Sequence, residues 1–316
     1  MSVQWFPGHM RATQTAITAR LKETDVFIEL LDARLPGSSA NPLLAELAGR
    51  KPSLKILNKQ DLADPLCTAE WLAYYNALPG TRAIGLDASD TAPARALIAA
   101  CRELVPNRGG MAKPLRVLIG GVPNVGKSTL INTLVGKKAS KTGDEAGITR
   151  QEQRIVLADD FYLYDTPGML WPKILVPESG DLLAASGAVG RNAYDEESVA
   201  LFLLQRLQQG YAALLEARYR WGWTPAAIAA LPDEELLAAI GRKRGALLPG
   251  GRVHLQKAAE ALLTDFRAGV LGRISLETPA LFAHWLAQAR VAEAERQAER
   301  QARLRQRRGH PTGAGD

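Results

Sequence analysis

Two short strings, and the order in which they occur, restrict this chain more than any other feature. Gly121-Val122-Pro123-Asn124-Val125-Gly126-Lys127-Ser128 has the form G-x-x-x-x-G-K-S. That is a glycine-rich turn whose backbone N–H groups can cradle phosphate. It follows the apolar run Val117-Leu118-Ile119-Gly120 and opens a stretch of helical character, the strand-to-helix setting such a turn needs. Asn58-Lys59-Gln60-Asp61, of the form N-K-x-D, lies upstream, at the end of the run Leu54–Leu57. A carboxylate there can accept two N–H donors at once, such as guanine N1–H and the exocyclic amine, a pair that adenine lacks. A base reader that precedes its phosphate cradle requires a sheet entered at an unusual point.

A third string completes the set. Asp165-Thr166-Pro167-Gly168 follows Tyr162-Leu163-Tyr164 and has the form D-x-x-G. Taken alone it is an ordinary Pro-Gly turn. Placed after the phosphate turn it resembles the D-x-x-G string of GTPases, and that resemblance implies that Asp165 holds Mg²⁺ through water and that the Gly168 N–H meets the γ-phosphate. In the cradle, Lys127 is expected to bridge the β- and γ-phosphates and the Ser128 hydroxyl to bind Mg²⁺. Gly121, Val122, Pro123, Asn124, Val125, Gly126 and Thr129 form the rest of the nucleotide-binding turn. Between the strings lies Gly143–Arg150, which has two glycines and no apolar period and reads as a loop.

The first 170 or so residues alternate short β-branched runs with helical stretches, the pattern of a parallel sheet with helices on both faces. Strands are expected at Val26–Leu31, Leu54–Leu57, Arg82–Leu86, Arg116–Ile119, Gln153–Leu157 and Phe161–Tyr164. Helices are expected at Arg11–Glu23, Thr68–Asn76, Ala92–Leu104 and Lys127–Val135. Past Trp171-Pro172 the chain becomes rich in Ala and Leu at helical spacing, as in Leu203, Leu207, Tyr211 and Leu215. The expected division is an α/β domain over 1–176, a smaller all-helical domain over 177–289 and a basic tail over 290–316, helical at first and then fraying.

The bulk numbers exclude some classes. The 316 residues carry a formal charge of +6 and 47% apolar side chains, which suits a globular protein with an anionic partner. No run of 18 apolar residues occurs, so no membrane span is expected. The opening Trp5-Phe6-Pro7-Gly8-His9 reads as folded protein and not as a leader. Cys67 and Cys101 are far apart, which points to reduced thiols, and the four scattered histidines do not suggest a metal site.

In GTPases the phosphate turn comes first and N-K-x-D last. With that order reversed, the chain resembles the circularly permuted GTPases. Asp32-Ala33-Arg34-Leu35-Pro36-Gly37-Ser38 with Asn41-Pro42, the opening Trp5-Phe6-Pro7-Gly8-His9-Met10, and Phe266-Arg267 with Gly269 and Leu271-Gly272-Arg273 narrow the likeness. They resemble the ribosome biogenesis GTPase A (YlqF/RbgA-like) family. Read from their own chemistry, Asp32 and Arg34 suit packing of the N-terminal half onto the sheet as well as any other role.

The resemblance implies a circularly permuted P-loop GTPase domain followed by a helical domain that contacts RNA. It implies GTP and GDP as ligands, Mg²⁺ held by Ser128, Asp165 and the switch threonine Thr149, and K⁺ near Asn124. Lys59 would cover the base, Asn58 would brace the loops and Ala88 would read guanine O6 through its backbone. Where Ras-like enzymes carry a water-orienting glutamine, this chain has Met169, which can neither orient water nor take a proton. Slow intrinsic hydrolysis, stimulated by ribosomal particles, follows, with His9 as a candidate to orient the water. Catalytic roles thus fall to Lys127, Thr149, Gly168 and His9. The implied partners are a large ribosomal subunit precursor and its rRNA, the place of action the cytoplasm, and the solution state a monomer. The alternative is a nucleotide-gated RNA-binding module whose hydrolysis is incidental.

Overall fold

The computed structural model describes residues 9–87, 93–110, 112–135 and 153–308. Its first part runs α1 (His9–Leu21), β1 (Val26–Asp32), α2 (Pro36–Ser39), α3 (Pro42–Ala48), β2 (Ser53–Asn58), α4 (Pro65–Asn76) and β3 (Thr81–Gly85). It continues through α5 (Pro93–Leu104), β4 (Leu115–Gly121), α6 (Lys127–Val135), β5 (Gln153–Ala158) and β6 (Phe161–Asp165). Every expected strand is present to within about two residues at its ends. The short helices α2 and α3 were not expected. Both begin with proline in the first turn, which suits a position where no intrahelical N–H is needed. Asn41 caps α3 by accepting from the N–H groups of Leu43 and Leu44. Likewise α4 starts at Pro65, earlier than expected, because Asp64 caps it.

The six strands form one sheet in the order β3-β2-β1-β4-β6-β5. All neighbours are parallel except β5 and β6, which are antiparallel. Chain order reverses direction between β1 and β4, and the phosphate turn leaves β4 at that point. In an open parallel sheet this is where a crevice forms outside the carboxyl ends of the strands. All seven residues of β1 are buried, which explains its unbroken apolar character apart from Glu29 and Asp32. Glu29 is fully buried and pairs with Lys55 of β2, while its other oxygen accepts from Asn41 N at 2.6 Å.

The second part is helical: α7 (Pro177–Ser186), α8 (Glu196–Tyr219), α9 (Pro225–Ala230), α10 (Asp233–Lys243), α11 (Leu255–Arg267) and α12 (Pro279–Arg308). A single bridge between Leu247 and Val253 is the only strand-like pairing among its described residues. On α8, Leu203, Leu207 and Leu215 are buried, and the helix kinks at Tyr211, whose hydroxyl bonds to both N and O of Ser275. The apolar core does not stop at residue 176. One cluster takes in Ile28, Leu118 and Leu163 of the sheet together with Leu182, Leu203 and Leu262 of the helices. At the other end, α12 crosses Ala289 without a break, and its first half is anchored by the buried Trp285 and Ala289.

The segment between α11 and α12 lies across the loop that follows β2. Ile274 N donates to Leu62 O at 2.9 Å and Leu276 N to Arg34 O at 2.7 Å. Arg273 donates to Ala63 O at 2.8 Å and to Gln60 O at 3.1 Å. The segment that contains Arg273, Ile274 and Leu276 is therefore a strap that ties the helical part to the N-K-x-D turn and to Arg34.

Candidate nucleotide-binding site

The two defining strings meet although they are far apart in the chain. β2 and β4 flank β1, so the carboxyl ends of all three strands face the same edge. Asn58, fully buried at the end of β2, donates its Nδ2 to Val125 O at 2.8 Å. Lys59 donates its Nζ to Asn124 O at 3.0 Å. The N-K-x-D string thus holds two successive carbonyls of the phosphate turn. Gly126 sits at φ +98°, and a Cβ there would lie 2.3 Å from Asn58 Nδ2. Only glycine permits both the backbone conformation and the contact.

Lys59 also donates to Asp32 Oδ2 at 2.9 Å. The carboxylate of Asp32 is gripped from the other side by Arg34, with Nε to Oδ1 at 2.9 Å and Nη2 to Oδ2 at 2.8 Å. Burial alone would raise the Asp32 carboxyl, but Arg34 and then Lys59 outweigh it and hold it well below the usual carboxylate range. Arg34, itself buried, donates Nη1 to Phe266 O at 2.9 Å and lies 4.5 Å from the centre of the Phe266 ring. A buried chain of contacts therefore runs from the phosphate turn through Lys59, Asp32 and Arg34 into α11. Asp61 lies in the 3-10 turn Gln60–Leu62 and is exposed, with its carboxylate open to a ligand.

The phosphate turn ends on α6, whose first N–H groups lack intrahelical acceptors and favour an anion. Lys127 is nearly fully buried and forms an ion pair with Asp165 Oδ1. Burial pulls the Lys127 ammonium down and pushes the Asp165 carboxyl up, each against the opposing charge of the other. Asp165 Oδ2 is buried with no hydrogen-bond partner among the described residues. An acceptor left bare beside a lysine and a glycine-lined turn suits a hydrated divalent cation next to phosphate oxygens. Ser128 is half-buried and Thr129 exposed at the same turn. Gly121 closes β4 with Val122 and Pro123 buried behind it. Gly168 packs so closely on the turn that a Cβ would stand 3.0 Å from Pro123 Cα.

Two further residues singled out from the sequence, Met169 and Asn124, are held by contacts within the fold. Met169 is fully buried, its N donating to Gly121 O at 3.1 Å and its O accepting from Asn41 Nδ2 at 2.8 Å. It is part of the wall and offers no polar group to water. Asn124, at φ +56°, donates its Nδ2 to Gly187 O, the carbonyl of the residue that ends α7, at 2.8 Å. His9 opens α1, but its side chain lies outside the described residues. Ala88, Thr149 and the Gly143–Arg150 loop also lie outside them.

Sequence reasoning missed several contacts that shape this site. Glu29 and the Asn124–Gly187 contact carry no motif. Asn41 stands out only within the Asn41-Pro42 string, and nothing in that string announces its bond to Met169 O. Glu277 was likewise unread. It is buried between the two parts, accepts from Ser38 N at 2.7 Å and Ser38 Oγ at 2.5 Å, and is pushed up by burial to about 7. Ser38 Oγ also lies 2.8 Å from Ser179 Oγ of α7.

Known proteins are similar to this chain in sequence and in architecture. Residues 116–221 match the family model described as 50S ribosome-binding GTPase. The match begins within β4 and leaves out Asn58–Asp61, as it must where the base reader precedes the cradle. The chain is 40% identical over 289 residues to Ribosome biogenesis GTPase A of Bacillus cereus, covering 89% of this chain and 96% of that protein. It is 33% identical to Mitochondrial ribosome-associated GTPase 1 of Mus musculus, over 87% of this chain and 90% of that one. Among solved structures it is similar to GDP-bound TM YlqF and to GNP-bound YlqF from T. maritima, with TM-scores of 0.62 and 0.57. Each is 24% identical and covers 84% of this chain, and this chain covers 99% and 97% of them.

Proposed function

The chain belongs to the ribosome biogenesis GTPase A family, and from that premise we propose that it is a GTP-hydrolysing assembly factor that docks on large ribosomal subunit precursors. One observation carries the nucleotide half of the reading: a guanine-reading turn bonded directly to a phosphate turn through Asn58–Val125 and Lys59–Asn124. The ribosomal half rests on relatives that match along most of the chain and are named for ribosome biogenesis or for ribosome association.

In this reading Asp61 accepts the guanine donors, Lys59 covers the base and Asn58 braces the cradle. Backbone N–H groups within residues 121–129, Pro123 excepted, hold the phosphates, and Gly168 adds one more. Lys127 leaves Asp165 to meet the β- and γ-phosphates. Asp165, Ser128 and Thr149 hold Mg²⁺, which when bound offsets phosphate charge. Ala88 reads guanine O6 through its backbone. A K⁺ site beside Asn124 would use that side chain's amide oxygen, the atom that a hard cation takes. His9 is the candidate to orient the attacking water, because Met169 is buried in the wall. The reading further takes the protein as a cytoplasmic monomer that contacts rRNA through the helical part and α12. Among the described residues no helix is long and apolar enough to cross a membrane.

The buried Met169 also favours the second reading, an RNA-binding module gated by nucleotide with incidental turnover. Cosedimentation with large ribosomal subunits, in GDP and in a non-hydrolysable GTP analogue, tests the first. The analogue should increase binding, and equal binding in both states refutes it. Turnover that particles do not stimulate would favour the second.

A further inference from the structure

At the end of α8 three aromatic rings form a ladder that leads from the core to solvent. Tyr219 is buried, with its hydroxyl donating to Asp265 Oδ2 at 3.1 Å. Trp221 lies over it at 5.1 Å between ring centres, and Trp223 stacks on Trp221 at 5.0 Å with the planes 16° apart. Trp223 is 38% exposed. The loop that carries these rings is fixed from several sides. Glu216 accepts from Gly222 N at 2.9 Å and Trp223 N at 3.3 Å, and Lys243 donates to Arg220 O at 2.7 Å. Arg220 is held at φ +53°, a conformation that a long side chain adopts only where its surroundings impose it. An exposed tryptophan held in one place by its own backbone contacts is pre-organised for a flat ligand.

The charge around the ladder has one sign. Arg220, Arg242, Lys243, Arg244 and Arg252 are exposed on this loop, on the last turn of α10 and on the hairpin after it. The nearby carboxylates are already engaged: Glu216 with the loop, and Asp265 beneath Arg218 and Arg244. The acidic first turn of α10, Asp233–Glu235, is at the opposite end of that helix. An exposed aromatic ring on a loop that carries and adjoins exposed cationic side chains is the chemistry that binds unpaired nucleotides, by stacking on the base and by charge on the phosphates. The exposed Leu247 and Leu248 would suit a protein partner, but they lie on the hairpin and away from the stack itself.

We propose that Trp223, backed by Trp221 and Tyr219 and flanked by Arg220 and Arg242, stacks on an unpaired base of single-stranded RNA. The proposal deepens the ribosomal reading and rests on it only for which RNA is presented. The test uses the full chain, a labelled eight-nucleotide oligo(A) RNA and an RNA duplex of the same length, followed by anisotropy. The single strand should bind more tightly than the duplex. Trp223→Ala should weaken single-strand binding about tenfold or more, while Trp223→Phe stays within about threefold because it keeps a ring to stack. Arg220→Ala with Arg242→Ala should lower the slope of log affinity against log salt by about 0.7 for each phosphate that is no longer neutralised. Basal GTP hydrolysis should be unchanged in all three variants. Wild-type affinity in Trp223→Ala, a duplex bound as well as the single strand, or no RNA binding by the intact chain overturns the platform. Particle cosedimentation run in parallel separates the two ideas. Its failure with Trp223-dependent oligonucleotide binding intact sinks only the ribosomal reading, whereas Trp223-independent binding with normal cosedimentation sinks only the platform.

Discussion

Replacing Asp32 by asparagine tests whether the buried ion cluster links base reading to the helical part. The Asp32 carboxylate accepts from Arg34 N, Nε and Nη2 and from Lys59 Nζ, at 2.8 to 3.1 Å. In Asp32→Asn one oxygen survives and the other becomes a donor that faces Arg34 Nη2 and Lys59 Nζ. Two charge-assisted hydrogen bonds disappear, each of about 1.5–3 kcal/mol, and the buried Arg34 and half-buried Lys59 are left without their counter-charge. Removal of one member of a buried pair costs about 3–5 kcal/mol, a figure that already contains those bonds. Urea unfolding should show that loss as a lower midpoint. Lys59, released from its anchor, should also hold the base less firmly, so titration with a fluorescent GDP analogue should show affinity down by about tenfold, which is roughly 1.4 kcal/mol. Because the Asp32 carboxyl is depressed, its contribution is complete above the unfolded carboxylate range near pH 4 and is lost only as pH falls through its lower folded value. The gap between variant and wild type should therefore be the same from pH 5.5 to 8. Lys59→Met, alone and with Asp32→Asn, closes a double-mutant cycle whose coupling should be about 1–3 kcal/mol. A midpoint shift worth less than about 1 kcal/mol, with GDP affinity unchanged, would refute the linkage.

Other substitutions test other parts of the site. Asp61→Asn should shift preference from guanine to xanthine nucleotides, whose C2 carbonyl needs a donor, and equal GTP and XTP affinities before and after would remove Asp61 from the base site. Glu277 has a folded value near 7 against an unfolded 4.5, so the folded state holds the extra proton and stability should fall as pH rises between those values, by on the order of 3 kcal/mol. Glu277→Gln, which can still accept from Ser38 N and donate to Ser38 Oγ, should flatten that dependence in urea titrations at pH 5 and 8, and a slope equal to wild type would contradict the assignment. Truncation after Ala289 removes seven arginines and three glutamates and should flatten the salt dependence of RNA binding. The same cut breaks the exposed Lys173–Glu293 pair, which should cost little stability. His9→Ala should leave GTP affinity intact and cut particle-stimulated turnover by about tenfold or more, and full stimulated turnover would assign His9 to packing.

Much of the architecture could be read from the chain because its signals are local. β1 is buried throughout and β2, β4 and β6 over most of their length, so each carries an apolar run, and the three strings sit where β2, β4 and β6 end. The phosphate turn declared itself through Gly126, whose positive φ and contact with Asn58 tolerate no other residue. What could not be read was contact between distant segments. Nothing near Asp32 in sequence announces Phe266 or Lys59 as its neighbours. Glu277 looks like any surface glutamate until Ser38 and Ser179 close over it. The continuity of the core past residue 176 was also hidden, because a change from strand to helix period marks a change of element and not an end to packing.

The reversed order of the strings costs the site nothing, since a parallel sheet presents all its carboxyl ends on one edge whatever the order of its strands. Neighbourhood decides the chemistry: β2 and β4 flank β1, and Asp32 at the end of β1 fills the space between the base reader and the cradle. What the order does change is which part of the chain follows D-x-x-G. Here that string runs directly into the helical part, which then returns to both halves of the site. Asn124 of the phosphate turn is bonded to Gly187 at the end of α7. Gln60 and Ala63 of the base-reading turn are bonded to Arg273 of the strap. Arg34, which holds Asp32, is bonded to Phe266 of α11. A shift of either nucleotide-binding turn by the length of a hydrogen bond must therefore break a contact to the helices or carry them along, because the core between the two parts is continuous and close-packed.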